Sequence, residues 1–231
     1  MKMLEKRRLA TPGDLLVEGD YIAGKNTYKE DGKIYSQRLG LVEFDGKKVS
    51  VVPLKGPYIP KVGDVVIGLV SDVSLNGWTV DINAPYKAVL SVMDVTGKSF
   101  SPKFETLTKI LDIGEVVVGK IVAFDRTRDP TLSIRGPGLG KIEDGVIVNL
   151  TPTKVPRLIG KKGSMINMLK NETGCEIIVG QNGKILVKGR DPKKVNQVIK
   201  AIKIIEGEAH TTGLTDRIKV FLESEKKGEA D

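Results

Sequence analysis

At Gly145 the spacing of the apolar residues changes, and that change constrains the fold more than any other feature of the chain. Before it, apolar residues come in short runs broken by Gly and Pro, the spacing of strands and turns. After it, Val195, Val198, Ile199, Ile202 and Ile205 fall at i, i+3, i+4, i+7 and i+10, the stripe of an amphipathic helix. A chain of 231 residues divided in this way reads as multidomain, mainly β followed by α+β. The expected parts are an N-terminal β module (1–60), a barrel (61–140), an α+β unit (145–208) and a C-terminal helix or tail (209–231).

In the first part, Thr11-Pro12-Gly13-Asp14 predicts a turn before a strand at Leu15–Val17. Further strands are expected at Lys33–Tyr35, Gly40–Phe44 and Lys48–Leu54, the last two joined by a hairpin at Asp45-Gly46. Gly56-Pro57-Tyr58-Ile59-Pro60 reads as a linker. Then Val62-Gly63-Asp64-Val65-Val66-Ile67-Gly68 is echoed 51 positions later by Ile113-Gly114-Glu115-Val116-Val117-Val118-Gly119. Two copies do not make a solenoid, whereas a barrel with two strands that start on the same glycine turn accounts for them. With Trp78–Ile82, Ala88–Val92 and Leu132–Ile134 this gives five strands, a longer excursion at Thr96–Ile110, and closure at Gly136-Pro137-Gly138. The count suits a five-stranded OB barrel.

The last part reads strand (Val146–Leu150), helix (Pro156–Ile159), loop, helix (Ser164–Thr173), strand (Cys175–Val179), strand (Lys184–Lys188), helix. Gly174 stops the second helix, Asn182-Gly183 marks a hairpin, and Asp191-Pro192 supplies a helix cap and a first-turn proline. The mixed charges after Thr215 predict a solvated helix with a frayed end.

Composition excludes several function classes. No apolar run is long enough to span a membrane, and the charged start lacks the apolar core of a secretory signal, so a soluble, cytoplasmic chain is expected. One cysteine, Cys175, and one histidine, His210, leave no disulfide, no Cys/His zinc site and no Cys/His catalytic pair. They read as a buried strand cysteine and a surface histidine. The acids are scattered among lysines and turns, without the clustered carboxylates that metal-dependent phosphodiester cleavage needs, so a nuclease is disfavoured. No cofactor is implied.

The formal charge of +8 is moderate, but its distribution is informative. Thr151 to Asn171 holds five basic residues (Lys154, Arg157, Lys161, Lys162, Lys170) and no acid. These surround Ile159-Gly160-Lys161-Lys162-Gly163-Ser164-Met165-Ile166. Two glycines three apart mean little alone, since 26 glycines give about three such pairs by chance. The setting between two short helices is what is specific. Glycine lets backbone approach a ligand closely, a helix start favours phosphate, and Lys161, Lys162, Arg157 and Lys154 add cations. The competing reading is a helix–helix turn with two solvated lysines.

The loop resembles the glycine loop of KH domains, which clamps single-stranded RNA, and the element order over 145–205 is that of the eukaryotic-type KH arrangement. The resemblance makes Arg157, Gly160, Lys161, Lys162 and Gly163 RNA-binding candidates. The barrel resembles the RNA-binding OB domain named after ribosomal protein S-one, through Gly63–Gly68, Gly77-Trp78-Thr79-Val80-Asp81-Ile82 and Leu132-Ser133-Ile134. That family stacks bases on exposed aromatic or histidine side chains, and Asn76, Thr79 and Leu90 stand at those positions here. Trp78 does not replace them, because it shares a strand face with Val80 and Ile82 and so reads as core. The barrel's candidates are therefore cationic: Lys87 beside Tyr86, and Arg126, Arg128 and Arg135, which could instead pair with Asp125 and Asp129.

The succession of three parts resembles the Rrp-four family of archaeal exosome cap subunits. Pro12-Gly13-Asp14-Leu15-Leu16, Val66-Ile67-Gly68-Leu69-Val70, Ala84-Pro85-Tyr86-Lys87-Ala88, Lys154-Val155-Pro156-Arg157 and Gly213-Leu214-Thr215-Asp216-Arg217-Ile218 carry it jointly. The resemblance implies a non-catalytic subunit, three copies of which sit on a ring of RNase PH-like subunits, alone or mixed with another cap subunit. The N-terminal module would anchor to the ring, and single-stranded RNA would be guided inward for 3′-to-5′ phosphorolytic decay. A stand-alone transcription or translation factor of NusA-like type is the alternative, although such chains carry two KH units of another topology.

Overall fold

The computed structural model describes residues 8–97, 104–125, 127–209, 211 and 213–227. Arg126, His210 and the last four residues, on which several expectations fall, lie outside them. The chain divides after Gly56 into two compact units.

The first unit stacks two small sheets. One orders β1 (Leu9–Ala10), β6 (Gly40–Asp45), β7 (Lys48–Pro53) and β3 (Ile22–Ala23); the other orders β2 (Leu15–Glu18), β5 (Lys33–Ser36) and β4 (Thr27–Glu30). Leu16, Val17, Ile34, Val42, Val49 and Val51 from both sheets form its core. The expected β6–β7 hairpin is present one residue further on: Asp45 pairs with Lys48, so Gly46-Lys47 make the turn. A second tight hairpin joins β4 to β5 through Asp31-Gly32, both at positive φ (47° and 75°), as an Asp-Gly turn of this length requires.

The second unit begins with the segment that reads as a linker. Tyr58 is buried in the barrel core, and its hydroxyl donates to Asp64 Oδ2 at 2.8 Å. Burial, then the Asp64 carboxylate, push the Tyr58 pKa up. The barrel consists of β8 (Val65–Ser74), β9 (Gly77–Asp81), β10 (Lys87–Ser91), β11 (Val116–Ala123) and β12 (Thr131–Ser133). It closes because β12 pairs with both β10 and β11. Two short helices lie between β10 and β11: α1 (Val92–Thr96) ends where the expected excursion begins, and α2 (Phe104–Ile110) lies within it. The sheet also runs past the expected stop at Gly138, since β13 (Gly140–Ile142) pairs with β11.

The echoed heptads have a geometric cause. β8 and β11 are antiparallel partners, and the two glycine turns sit at opposite ends of the pair. Gly63 N–H donates to Ile121 O and Ile121 N–H to Asp64 O; Gly114 N–H donates to Val70 O and Val70 N–H to Glu115 O. Gly63 (φ 95°) and Gly114 (φ 90°) thus make the same contact from opposite ends, a local two-fold relation within one barrel.

The remaining elements form a β-α-α-β-β-α unit: β14 (Val146–Asn149), α3 (Val155–Ile159), α4 (Ser164–Thr173), β15 (Glu176–Val179), β16 (Lys184–Lys188) and α5 (Pro192–Glu208). The sheet order is β14-β16-β15, antiparallel throughout. Asp191 caps α5 by accepting from Lys193 N–H at 2.9 Å. Val195, Val198, Ile202 and Ile205 are buried with Cys175, as their spacing predicts. The expected last helix is present, α6 (Leu214–Lys227), but it is not solvated all round. Leu214, Ile218 and Leu222, at i, i+4 and i+8, are buried in the same core, so one face of α6 packs on the unit.

Candidate nucleic-acid interface

The loop between α3 and α4 is held in a conformation that only its sequence allows. Gly160 sits at φ 75° and ψ 176°, a region essentially confined to glycine. A side chain there would also lie 2.7 Å from Met165 N and 2.9 Å from its Cβ. Lys161 continues in a short 3-10 turn, but Lys162 adopts φ 53° and ψ 29°, the left-handed region that a lysine rarely occupies. Gly163, at φ 81°, precedes α4, whose N-terminus no side chain caps. Lys161, Lys162 and Arg157 are all exposed and have no ion-pair partner among the described residues.

The left-handed backbone at Lys162 allows stability and binding to be separated by one substitution. Lys162→Gly is expected to leave the unfolding free energy unchanged or raise it by up to about 1 kcal/mol, because glycine relieves the left-handed φ. RNA affinity should fall in the same variant. Thermal unfolding beside a binding titration checks both; parallel losses in the two would contradict it.

Lys154 does not extend this cationic track. Its ammonium donates to Glu206 O at 2.6 Å, at the end of α5, where a helix terminus favours a cation. The Glu206 carboxylate in turn accepts from Thr151 N–H and Oγ1–H, at 3.0 and 2.7 Å.

On the barrel, Lys87 is exposed at the start of β10. The loop before it meets the β11–β12 loop through Tyr86 and Phe124, whose rings contact edge-on at 5.0 Å. Arg128 lies in that second loop and is 85% exposed, with only a loose 3.9 Å pairing to Asp125. Asp125 is occupied mainly in shaping the turn. It accepts from Thr127 Oγ1–H, Thr127 N–H and Arg128 N–H, and the Thr127 bonds hold its carboxyl below the usual range. Arg135 is used by the fold: its Nε donates to Asp94 O at 2.6 Å and its Nη2 to Met93 O. These two bonds, with a loose 3.9 Å pairing of Nε to the Asp94 carboxylate, tie one edge of the guanidinium to α1, while its charge still reaches solvent.

The barrel's outer face differs from the expected alignment at one position. Leu90 is fully buried opposite Trp78, and the outward residue beside Thr79 is Val89, 43% exposed. Thr79, Val89, Asp81 and Leu69 line this surface, and none of them is aromatic. Trp78 is core, 1% exposed, and its indole N–H donates to Leu111 O at 2.7 Å.

Sequence reasoning missed the residue that joins barrel to α+β unit. Asn182, which reads as a turn residue of the β15–β16 hairpin, has no positive φ and is 0% exposed. Its Nδ2 donates to Ile67 O (2.7 Å) and Ile82 O (2.9 Å), and its Oδ1 accepts from Ile67 N–H (3.3 Å). Asn83 Nδ2 donates to Asn182 O at 3.1 Å, and Gln181 N–H to Val65 O at 2.8 Å. Ile67, Val118 and Leu186 bury an apolar cluster beside them. The hairpin thus docks on the barrel next to the loop that leads into Lys87. The sequence held no signal for this, since Asn-Gly reads equally as an ordinary hairpin turn.

A closed OB-type barrel joined to a β-α-α-β-β-α unit with a cationic glycine loop defines a multidomain RNA-binding class. Comparison with known proteins narrows this. Residues 7–55 match the exosome RNA binding protein RRP4 N-terminal domain, residues 57–105 the S1 domain of RRP4, and residues 145–193 the KH domain. The exosome complex component Rrp4 of Methanobrevibacter smithii is 47% identical over 95% of this chain and 72% of its own length. That of Ignisphaera aggregans is 47% identical over 96% of this chain and 91% of its own. A crystal structure described as an exosome complex RNA-binding protein aligns with TM-score 0.70 and 45% identity, over 75% of this chain and 99% of that one. The chain belongs to the Rrp4 family of exosome RNA-binding proteins. Among the described residues no helix is long and apolar enough to cross a membrane, and no three His, Cys, Asp or Glu side chains cluster as metal ligands.

Proposed function

We propose that this chain is a non-catalytic RNA-binding cap subunit of an archaeal, cytoplasmic exosome. It holds single-stranded RNA and guides it into an RNase PH-like ring for 3′-to-5′ phosphorolytic decay or processing. The observation that carries the reading is the pair of exposed, unpaired lysines on the Gly160–Gly163 bend, in a chain similar to Rrp4 along its length. Arg157, Lys161 and Lys162 neutralise phosphates while Gly160 and Gly163 let the strand approach backbone. Lys87, Arg126 and Arg128 guide the strand at the barrel, and Arg135, partly held by α1, adds charge beside it. The N-terminal module anchors to the ring, which carries three caps, of this chain alone or mixed with another cap subunit.

Removal of residues 1–56 tests the division of labour. The shortened chain is expected to lose co-elution with RNase PH-like ring subunits while still binding single-stranded RNA, since among the described residues the barrel and KH cores contain none of the first unit. Retained co-elution would sink the anchoring role. RNA cleavage by the purified chain alone would sink the non-catalytic one.

A further inference from the structure

Two asparagines of this chain are followed by glycine, Asn76 and Asn182. This dipeptide is chemically labile, because no side chain on the second residue hinders its nitrogen from attacking the asparagine side chain. Asn76 is exposed in the β8–β9 turn, whereas Asn182 is sealed between hairpin and barrel. We propose that Asn182 is a deamidation site gated by barrel–KH docking, and that the product prevents the two from docking again.

In the reaction Gly183 N bonds to Asn182 Cγ, the Cγ–Nδ2 bond breaks, and the Gly183 proton leaves with Nδ2 as ammonia. The resulting succinimide takes up one water and opens to aspartate or isoaspartate. Docking opposes each step. Both Nδ2 hydrogens are held by carbonyls of different barrel segments, Ile67 and Ile82, so Cγ cannot swing toward the next nitrogen. Gly183 N–H is itself donated to Gly180 O at 3.1 Å. At 0% exposure, Asn182 is also shielded from the water that completes the reaction. Deamidation therefore proceeds from the opened state, in proportion to its population.

The product cannot go back. A carboxylate in place of the amide has no hydrogen to offer, so the two buried carbonyls that Nδ2 satisfied would face an acceptor oxygen and a negative charge. Only Ile67 N–H would remain as a partner. Each opening that reacts would remove one molecule from the docked population, in which the KH hairpin touches the loop leading to Lys87.

The test is peptide mapping by mass spectrometry of the full chain, incubated warm at mildly alkaline pH. Asn76 is expected to convert readily, with Asn182 slower by about tenfold or more. Leu186→Ala, and separately Val118→Ala on the barrel side, should raise the Asn182 rate towards that of Asn76 and leave Asn76 unchanged. Equal rates in the intact chain, or an Asn182 rate indifferent to both variants, would overturn the gating. Asn182→Asp imitates the product and should enlarge the radius of gyration and speed proteolysis between Gly136 and Gly145. A deamidated fraction isolated by ion exchange from an Asn76→Ser chain is the second sample, should the variant misfold. If either folded sample is as compact as the unmodified chain, the block on redocking is wrong.

Discussion

Replacement of both Lys161 and Lys162 by Glu is expected to lower affinity for single-stranded RNA by about a hundredfold near physiological salt. Two phosphate contacts vanish, and two negative charges take their place beside an uncapped helix start that favours anions. The salt dependence identifies the cause. Loss of two contacts to a single strand should make log affinity against log salt shallower by about 1.4 units. Both residues are exposed and make no ion pair among the described residues, so thermal stability should not fall with them. The decisive measurement is a titration at several salt concentrations. An unchanged slope would show that the loop does not meet phosphate, whatever happened to the affinity. Addition of Lys87→Glu and Arg128→Glu should flatten the slope further only if the barrel loops touch the same strand.

Trp78→Ala is expected to destabilise the second unit by about 3–5 kcal/mol, the range for deletion of a large buried aromatic side chain. The indole fills the barrel between Leu90 on the adjacent strand and the residues after α2, and its N–H satisfies Leu111 O. The alanine would leave both a cavity and an orphaned carbonyl. The informative companion is Trp78→Phe, which keeps most of the volume and loses the hydrogen bond, at about 1–2 kcal/mol. If Trp78 is core and not a stacking platform, the phenylalanine variant binds RNA as the parent does once folded, when compared well below its melting temperature. A selective loss of RNA affinity at unchanged stability would instead put the ring in contact with bases.

Much of this was legible in the residues. The period change at Gly145, the α4 bounds between Gly163 and Gly174, the Asp191 cap and the buried stripe of α5 follow from patterns within a few turns of chain. The face of Trp78 followed likewise from two-residue alternation with Val80 and Ile82. Other features were misread where a local pattern was ambiguous. Leu90 and Val89 differ by one residue, and a one-residue difference moves a side chain from core to surface. The charges of α6 concealed three apolar residues four apart, which matter only because a partner surface exists beside them.

What the sequence determined by itself was the five barrel strands, the element order of the α+β unit, the glycine bend and its cations, because turns, caps and periodicities are settled by neighbours in the chain; the short strands β1, β3, β4 and β13 and the helices α1 and α2 left no such pattern. Tertiary structure alone decided which groups meet across it. It brought Val70 and Ile121 into one repeated hydrogen-bond pattern, spent Lys154 and Arg135 on carbonyls, and turned Asn182 from a turn residue into the buried link between hairpin and barrel. A buried amide is retained only where distant acceptors satisfy it, and no local pattern records where the acceptors will be.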